Sequence, residues 1–186
     1  KKANVSNIID AHAPVDGKII QVPHDWNETA NAAGGIISNI PDMATWAEFL
    51  MNGFTTKDGK KLVSDKQIQQ LWNLQISTPV ALKNSYDSNF AGYGLGWFLT
   101  DVKGHKQVYH TGGLIGTVTQ FTLIPDMKLG IIVLTNQQSG AAFSAITNTI
   151  KDSYLGMPQK DWVKLYGDRM TKVNADYAKE KKEIFA

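Results

Sequence analysis

Between Tyr93 and Asn136 the chain reads as a succession of short β-rich runs separated by turn residues, and this stretch constrains the fold most. Tyr93 to Thr100 is aromatic and glycine-rich, Lys103-Gly104-His105 is a turn, and a second strand begins at Gln107 to His110. Thr117 to Ile124 is dense in β-branched and aromatic residues, which suit a pleated surface, and Pro125-Asp126 turns the chain again. Leu129 to Thr135 contains Ile131-Ile132-Val133-Leu134, the continuous apolar run expected of a strand covered on both faces. The connections are too short for crossovers, so the expected topology is an antiparallel meander of about three or four strands.

Helical patterns flank this core. Asn39 and Asp42 have capping spacing, Pro41 suits a first turn, and Met43, Trp46, Ala47, Leu50 and Met51 recur at helical spacing before Asn52-Gly53. A second helix fits Ser64 to Asn73, with Ser64 as cap and Ile68, Leu71 and Trp72 inward. Residues 74 to 91 read as loop, and residues 1 to 33 as a hairpin or extended segment turning at Asp16-Gly17. After the strands, Ser139-Gly140 caps a helix with Phe143, Ile146, Ile150 and Tyr154 at helical spacing, broken at Gly156-Met157-Pro158. A last amphipathic helix starts near Asp161 and carries Trp162, Leu165, Tyr166, Met170, Val173 and Tyr177. The fold class is therefore α+β, a central antiparallel sheet flanked by helices, with 1–156 as one domain and 157–186 as a helical appendage that can lead to another domain.

Composition removes several functions. A net charge of +2 over 186 residues, with no long basic stripe, gives no footing for nucleic acid. There is no cysteine, hence no disulfide, thiol nucleophile or thiolate metal site. No apolar run approaches the roughly 20 residues of a membrane span. His12, His24, His105 and His110 have no metal-site spacing, and no metal or organic cofactor is expected. His105, in its turn, reads as solvent-exposed, while Trp26, Trp46, Trp72 and Trp97 read as core or cleft wall. Gly94 and Gly96 flank Leu95 without the pattern of a dinucleotide loop.

The string Tyr109-His110-Thr111-Gly112-Gly113 carries the most chemistry. Two glycines after a strand let a substrate backbone lie close. Gly113 N–H can point at a developing oxyanion, Thr111 can donate to a substrate carbonyl or carboxylate, and His110 can move a proton. Composition equally allows a glycine bend beside a satisfied, partly buried histidine. Asn136, at the end of the last strand, can reach a substrate from the cleft rim or simply form a turn.

Gly92-Tyr93-Gly94-Leu95-Gly96-Trp97, His110-Thr111-Gly112-Gly113, Pro125 and Ile131 to Asn136 together resemble the late part of the serine β-lactamase-like family. That family includes class C β-lactamases, penicillin-binding D-alanyl-D-alanine carboxypeptidases, D-aminopeptidases and esterases. Ala33-Gly34-Gly35-Ile36-Ile37-Ser38 with Asp42 and Trp46 resembles its Gly-Gly segment and following helix. The likeness covers roughly residues 30 to 156 and places His110-Thr111-Gly112 on the family's third active-site motif, on the strand lining the cleft. It implies a serine acyl hydrolase acting on a small peptide-like amide or ester, in the periplasm, cell envelope or outside the cell. His110, Thr111 and Gly113 would be the catalytic residues; Thr111, Gly112, Gly113 and Asn136 would hold substrate.

The family's two other motifs, Ser-x-x-Lys and Tyr-x-Asn, have no match. No serine is followed three residues on by lysine, and Thr100-Asp101-Val102-Lys103 has the spacing with the wrong nucleophile. Tyr86-Asp87-Ser88 and Tyr177-Ala178-Lys179 lack the asparagine. Acyl transfer needs the hydroxyl and its base. The expectation is a C-terminal portion that is inactive alone and pairs with a missing N-terminal half; the alternative is a non-catalytic peptide- or cell-wall-binding module of the same fold.

Overall fold

The computed structural model describes residues 7–23 and 28–184, except the side chain of Lys182. His24 and Trp26 lie outside the described residues. The chain divides into two compact units, residues 1–138 and 139–186.

The first unit opens with a two-stranded hairpin, β1 (Ala11–Val15) and β2 (Lys18–Val22). Its loop is Asp16-Gly17, with φ 47° and 79°, the pair of positive values that a primed hairpin turn requires. A short 3₁₀ turn and α1 (Asn31–Gly34) lead to α2 (Ile40–Met51). There the Asp42 backbone N–H donates to Asn39 Oδ1 at 2.9 Å, so the expected cap is present. In α3 (Asp65–Leu71) Ser64 and Gln67 form a reciprocal capping box.

Six strands follow as one antiparallel sheet in sequence order: β3 (Ile76–Thr78), β4 (Ala91–Tyr93), β5 (Phe98–Val102), β6 (His105–Leu114), β7 (Thr117–Ile124) and β8 (Leu129–Thr135). The meander is as expected, but the strand count is higher. Tyr93 to Thr100 is not one run: a turn at Gly94–Trp97 divides it, with the Gly94 N–H donating to Trp97 O at 2.7 Å. The loop expected over 74 to 91 contains edge strand β3, a short exposed strand ending just before Pro79. Gly92 makes room for it, since a Cβ there would stand 2.2 Å from the Ile76 carbonyl oxygen. Gly94 has the same role against α3, where a Cβ would be 2.5 Å from Leu71 O.

The core joins Ala47, Leu50 and Phe54, from α2 and its exit, to Phe121 and Leu123 of β7. Met43, Ile68, Leu71, Trp72 and Trp97 complete it, and Trp97 meets Phe121 at a ring separation of 5.8 Å. Trp46 is instead 42% exposed, stacked on Phe49. The strand covered on both faces is β7, buried at four consecutive positions from Phe121 to Ile124. In β8 only alternate residues are buried (Leu129, Ile131, Val133), and Leu134 is 38% exposed. β8 is an edge strand of this sheet, flanked on one side only, whereas β7 lies between β6 and β8.

The second unit pairs α4 (Gly140–Tyr154) with α5 (Trp162–Ile184). On α4 Ala145, Thr147, Lys151 and Asp152 are buried, while Ile146 and Tyr154, of the apolar helical spacing, are 45% and 61% exposed. Asp152 is kept inside by Trp162, whose Nε1–H donates to its Oδ2 at 2.6 Å. Asp161 caps α5 through the Lys164 N–H at 2.8 Å. Among the described residues no helix is long and apolar enough to cross a membrane.

Candidate functional site

β6 is ten residues long, and β5 covers only its first half: the pairing ends at Phe98 opposite Tyr109. On the other side β7 follows β6 through to Leu114 opposite Thr117. Beyond Tyr109, the β5 side of β6 thus has no strand partner among the described residues. The unpaired edge carries His110, Thr111, Gly112 and Gly113. The glycines do not follow the strand, as expected from the sequence; they are part of it.

An open edge presents backbone donors and acceptors to an extended ligand. Both glycines are exposed. Gly112 is required sterically, because a Cβ there would lie 2.6 Å from Thr119 Oγ1 on β7, a stiff β-branched side chain. Around Gly113 the nearest atom to such a Cβ is Val118 Cγ1 at 4.0 Å, which leaves its surroundings open.

His110 is fixed at both ring nitrogens. Nδ1 lies 2.6 Å from the Thr111 carbonyl oxygen, which can only accept, so Nδ1 carries the hydrogen. In the neutral ring Nε2 then accepts from the Tyr93 hydroxyl at 3.0 Å. Aromatic contacts hold the imidazole in place: Tyr93 edge-on at 5.9 Å and Phe98 at 5.5 Å, the latter stacked in turn on Tyr109. Burial pushes the Tyr109 phenol up, keeping it neutral and part of the wall. Sequence reasoning gave Tyr93 no role. Its one signal was a tyrosine bounded by glycines, in the string that carried the family likeness.

Asn136 sits elsewhere. It follows Thr135, which pairs with Val118, which pairs with Gly113. Two strand spacings, roughly 10 Å, therefore separate it from β6. Its carbonyl accepts from His12 Nδ1 at 3.1 Å, docking the N-terminal hairpin on the end of β8. His105 is half-buried rather than free in solvent, its Nδ1 2.6 Å from Asp126 Oδ2. A cleft of about 330 Å³ lined by Trp72, Phe90, Asp101 and Lys106 lies toward the other end of the sheet. Lys106 is five residues, about 17 Å, up the strand from Thr111.

The longest sheet strand of this α+β fold thus carries an open His-Thr-Gly-Gly edge, with backbone donors beside a histidine anchored at both nitrogens. The comparisons give the family. The β-lactamase family model matches residues 4–155, and the chain belongs to the β-lactamase family. It is 29% identical over 154 residues to an unguisins hydrolase of Aspergillus campestris, covering 79% of this chain and 27% of that protein. To an unguisins hydrolase of Aspergillus violaceofuscus it is 25% identical over 171 residues, covering 86% of this chain and 30% of that protein. The chain thus spans less than a third of the length of these relatives.

Proposed function

We propose that this chain is the C-terminal portion of a serine acyl hydrolase that cleaves peptide-like amides or esters through an acyl-serine intermediate, with nucleophile and base supplied by sequence outside it. The observation that carries this reading is the open edge of β6, with His110 anchored beside it at 3.0 Å from the Tyr93 hydroxyl and 2.6 Å from Thr111 O. A substrate extends along the edge over Gly112 and Gly113, as an added strand would. The serine hydroxyl attacks the scissile carbonyl and loses its proton to the base beside it. The tetrahedral adduct collapses, the amine or alcohol leaves with that proton, and water hydrolyses the acyl-serine to free acid and serine. Gly113 N–H donates to the oxyanion, Thr111 Oγ1–H to a substrate oxygen, and His110 exchanges a proton at Nε2 with the Tyr93 hydroxyl, which passes it to and from the reacting centre.

Exposed apolar residues support a further partner for this chain. Ile36, Ile37 and Phe90 are 90%, 79% and 70% exposed. Residues of that size are ordinarily covered. The missing half of the domain is the cover we propose, and that both relatives are hydrolases agrees with the reaction class.

Hydrolysis assays test the reading. The full-length protein is expected to release p-nitrophenol from p-nitrophenyl acetate above the buffer rate, and the isolated 186-residue chain is expected to match buffer. Turnover by the isolated chain would contradict the division of labour. An inactive full-length protein would favour the non-catalytic binding module.

A further inference from the structure

The edge of β6 ends in a feature that the catalytic reading does not use. Leu114 and Ile115 follow the two glycines directly and are 49% and 66% exposed. Two large aliphatic side chains at a hairpin tip cost solubility unless they meet something.

This tip is nevertheless held firmly. The other two-residue hairpin loops of the chain, Asp16-Gly17 and Lys103-Gly104, have positive φ at both residues. Here only Gly116 does, at 81°, so the favoured primed geometry is absent and other bonds fix the turn. The His12 N–H donates to Gly116 O at 3.0 Å, and the Gly116 N–H donates to Gln138 Oε1 at 3.2 Å. Gly116 is itself buried, and a Cβ there would lie 2.5 Å from Val22 Cγ2 and 2.7 Å from Ala11 Cβ. The N-terminal hairpin therefore braces the turn from behind while both aliphatic side chains stay in the open.

Strand alternation sets the geometry. His110, Gly112 and Leu114 occupy one face of β6, since successive side chains point to opposite faces. Gly112 between them contributes no side chain and leaves a notch, with His110 on one side, Leu114 on the other and Thr119 Oγ1 behind. Leu114 directly follows Gly113, whose N–H holds the oxyanion in the reading above, so it stands one residue, about 3.4 Å along the strand, from the carbonyl that reacts.

From the juxtaposition of this braced, exposed aliphatic tip with the Gly112 notch on the open strand edge, we infer that Leu114, flanked by Ile115, is the specificity element of the cleft. It selects substrates carrying an apolar side chain next to the bond cleaved. This rests on the acyl hydrolase reading above.

The test uses the full-length protein and p-nitrophenyl esters of N-acetyl-alanine and N-acetyl-leucine, in both enantiomers. The wild type is expected to prefer leucine over alanine by about tenfold or more in kcat/KM for one enantiomer, the usual discrimination of an apolar pocket. Leu114→Ser is expected to reduce that ratio by about tenfold, and Leu114→Met to keep most of it. Ile115→Ser, at a more exposed position, gives an independent second variant with a smaller reduction. No preference in the wild type, or a ratio unchanged in Leu114→Ser, would overturn the inference while leaving the hydrolase reading intact. A wild type that cleaves none of the four esters would overturn both.

Discussion

Replacing His110 with alanine in the full-length protein is expected to lower kcat/KM by about 10²–10⁴-fold, the range for losing a positioned proton-transfer group. The expectation rests on how the ring is held. Thr111 O fixes the hydrogen on Nδ1, so Nε2 is the proton-accepting nitrogen, and the Tyr93 hydroxyl bonded to it at 3.0 Å is the group through which it exchanges a proton. The rings of Tyr93 and Phe98 restrict the imidazole further. Such a group costs little reorganisation when the reaction proceeds. His110→Lys, which supplies the other residue type found at this point of the family's third motif, is expected to retain more activity than the alanine variant. Steady-state kinetics on both variants check this, with circular dichroism as the folding control. A His110→Ala protein within threefold of wild type would show that the histidine is only a packing element of the wall.

The second large effect concerns stability and lies in α4. Lys151 is 5% exposed, and burial is the main cause that lowers its ammonium pKa to about 8; the neighbouring Asp152 carboxylate opposes the shift. The folded chain thus binds this proton more weakly than the unfolded chain, whose lysine titrates near 10.5. Between about pH 8 and 10.5 the unfolded state holds more protons, so Lys151 makes stability rise with pH across that window. Below it the full cost of burying the charge remains, of order 3 kcal/mol. Lys151→Met keeps the volume without the charge and is expected to stabilise the chain at pH 7 by about 1–3 kcal/mol. The advantage over wild type should shrink as pH passes from 8 to 10.5. Urea midpoints of both proteins across that range measure it, and the difference cancels titrations they share. Parallel curves would contradict the account.

Local chemistry was legible where it is self-contained. The Asn39 cap, the Ser64 cap and the Asp16-Gly17 turn depend on residues within three positions of one another, and each occurs in the structure. The antiparallel meander followed from short turns, for the same reason. What the sequence concealed depends on distant neighbours. Strand β3 exists because Gly92, some sixteen residues later, lets Ile76 approach; three exposed residues before a proline carry no such signal. The buried face of α4 was not legible because Asp152 looks like a solvent residue until Trp162 is seen to donate to its Oδ2. Burial on both faces belongs to β7, which contains Thr122, rather than to the wholly apolar run of β8, because position in the sheet outweighs composition. At the site, His110, Thr111, Gly112 and Gly113 stood out as a string. The unpaired edge they occupy depends on where β5 begins, which periodicity did not show. Asn136 follows the last strand, and β7 lies between it and β6.

The central claim is that this chain forms a cleft wall for a serine that lies elsewhere in the protein. Intact-mass measurement after treatment with a fluorophosphonate and with a fluorescent penicillin tests it most directly, on the isolated 186-residue chain and the full-length protein in parallel. The account predicts no mass increase on the isolated chain, and one adduct on the full-length protein that maps to a serine outside residues 1–186. An adduct on any serine within these residues would place the nucleophile inside the chain and contradict it.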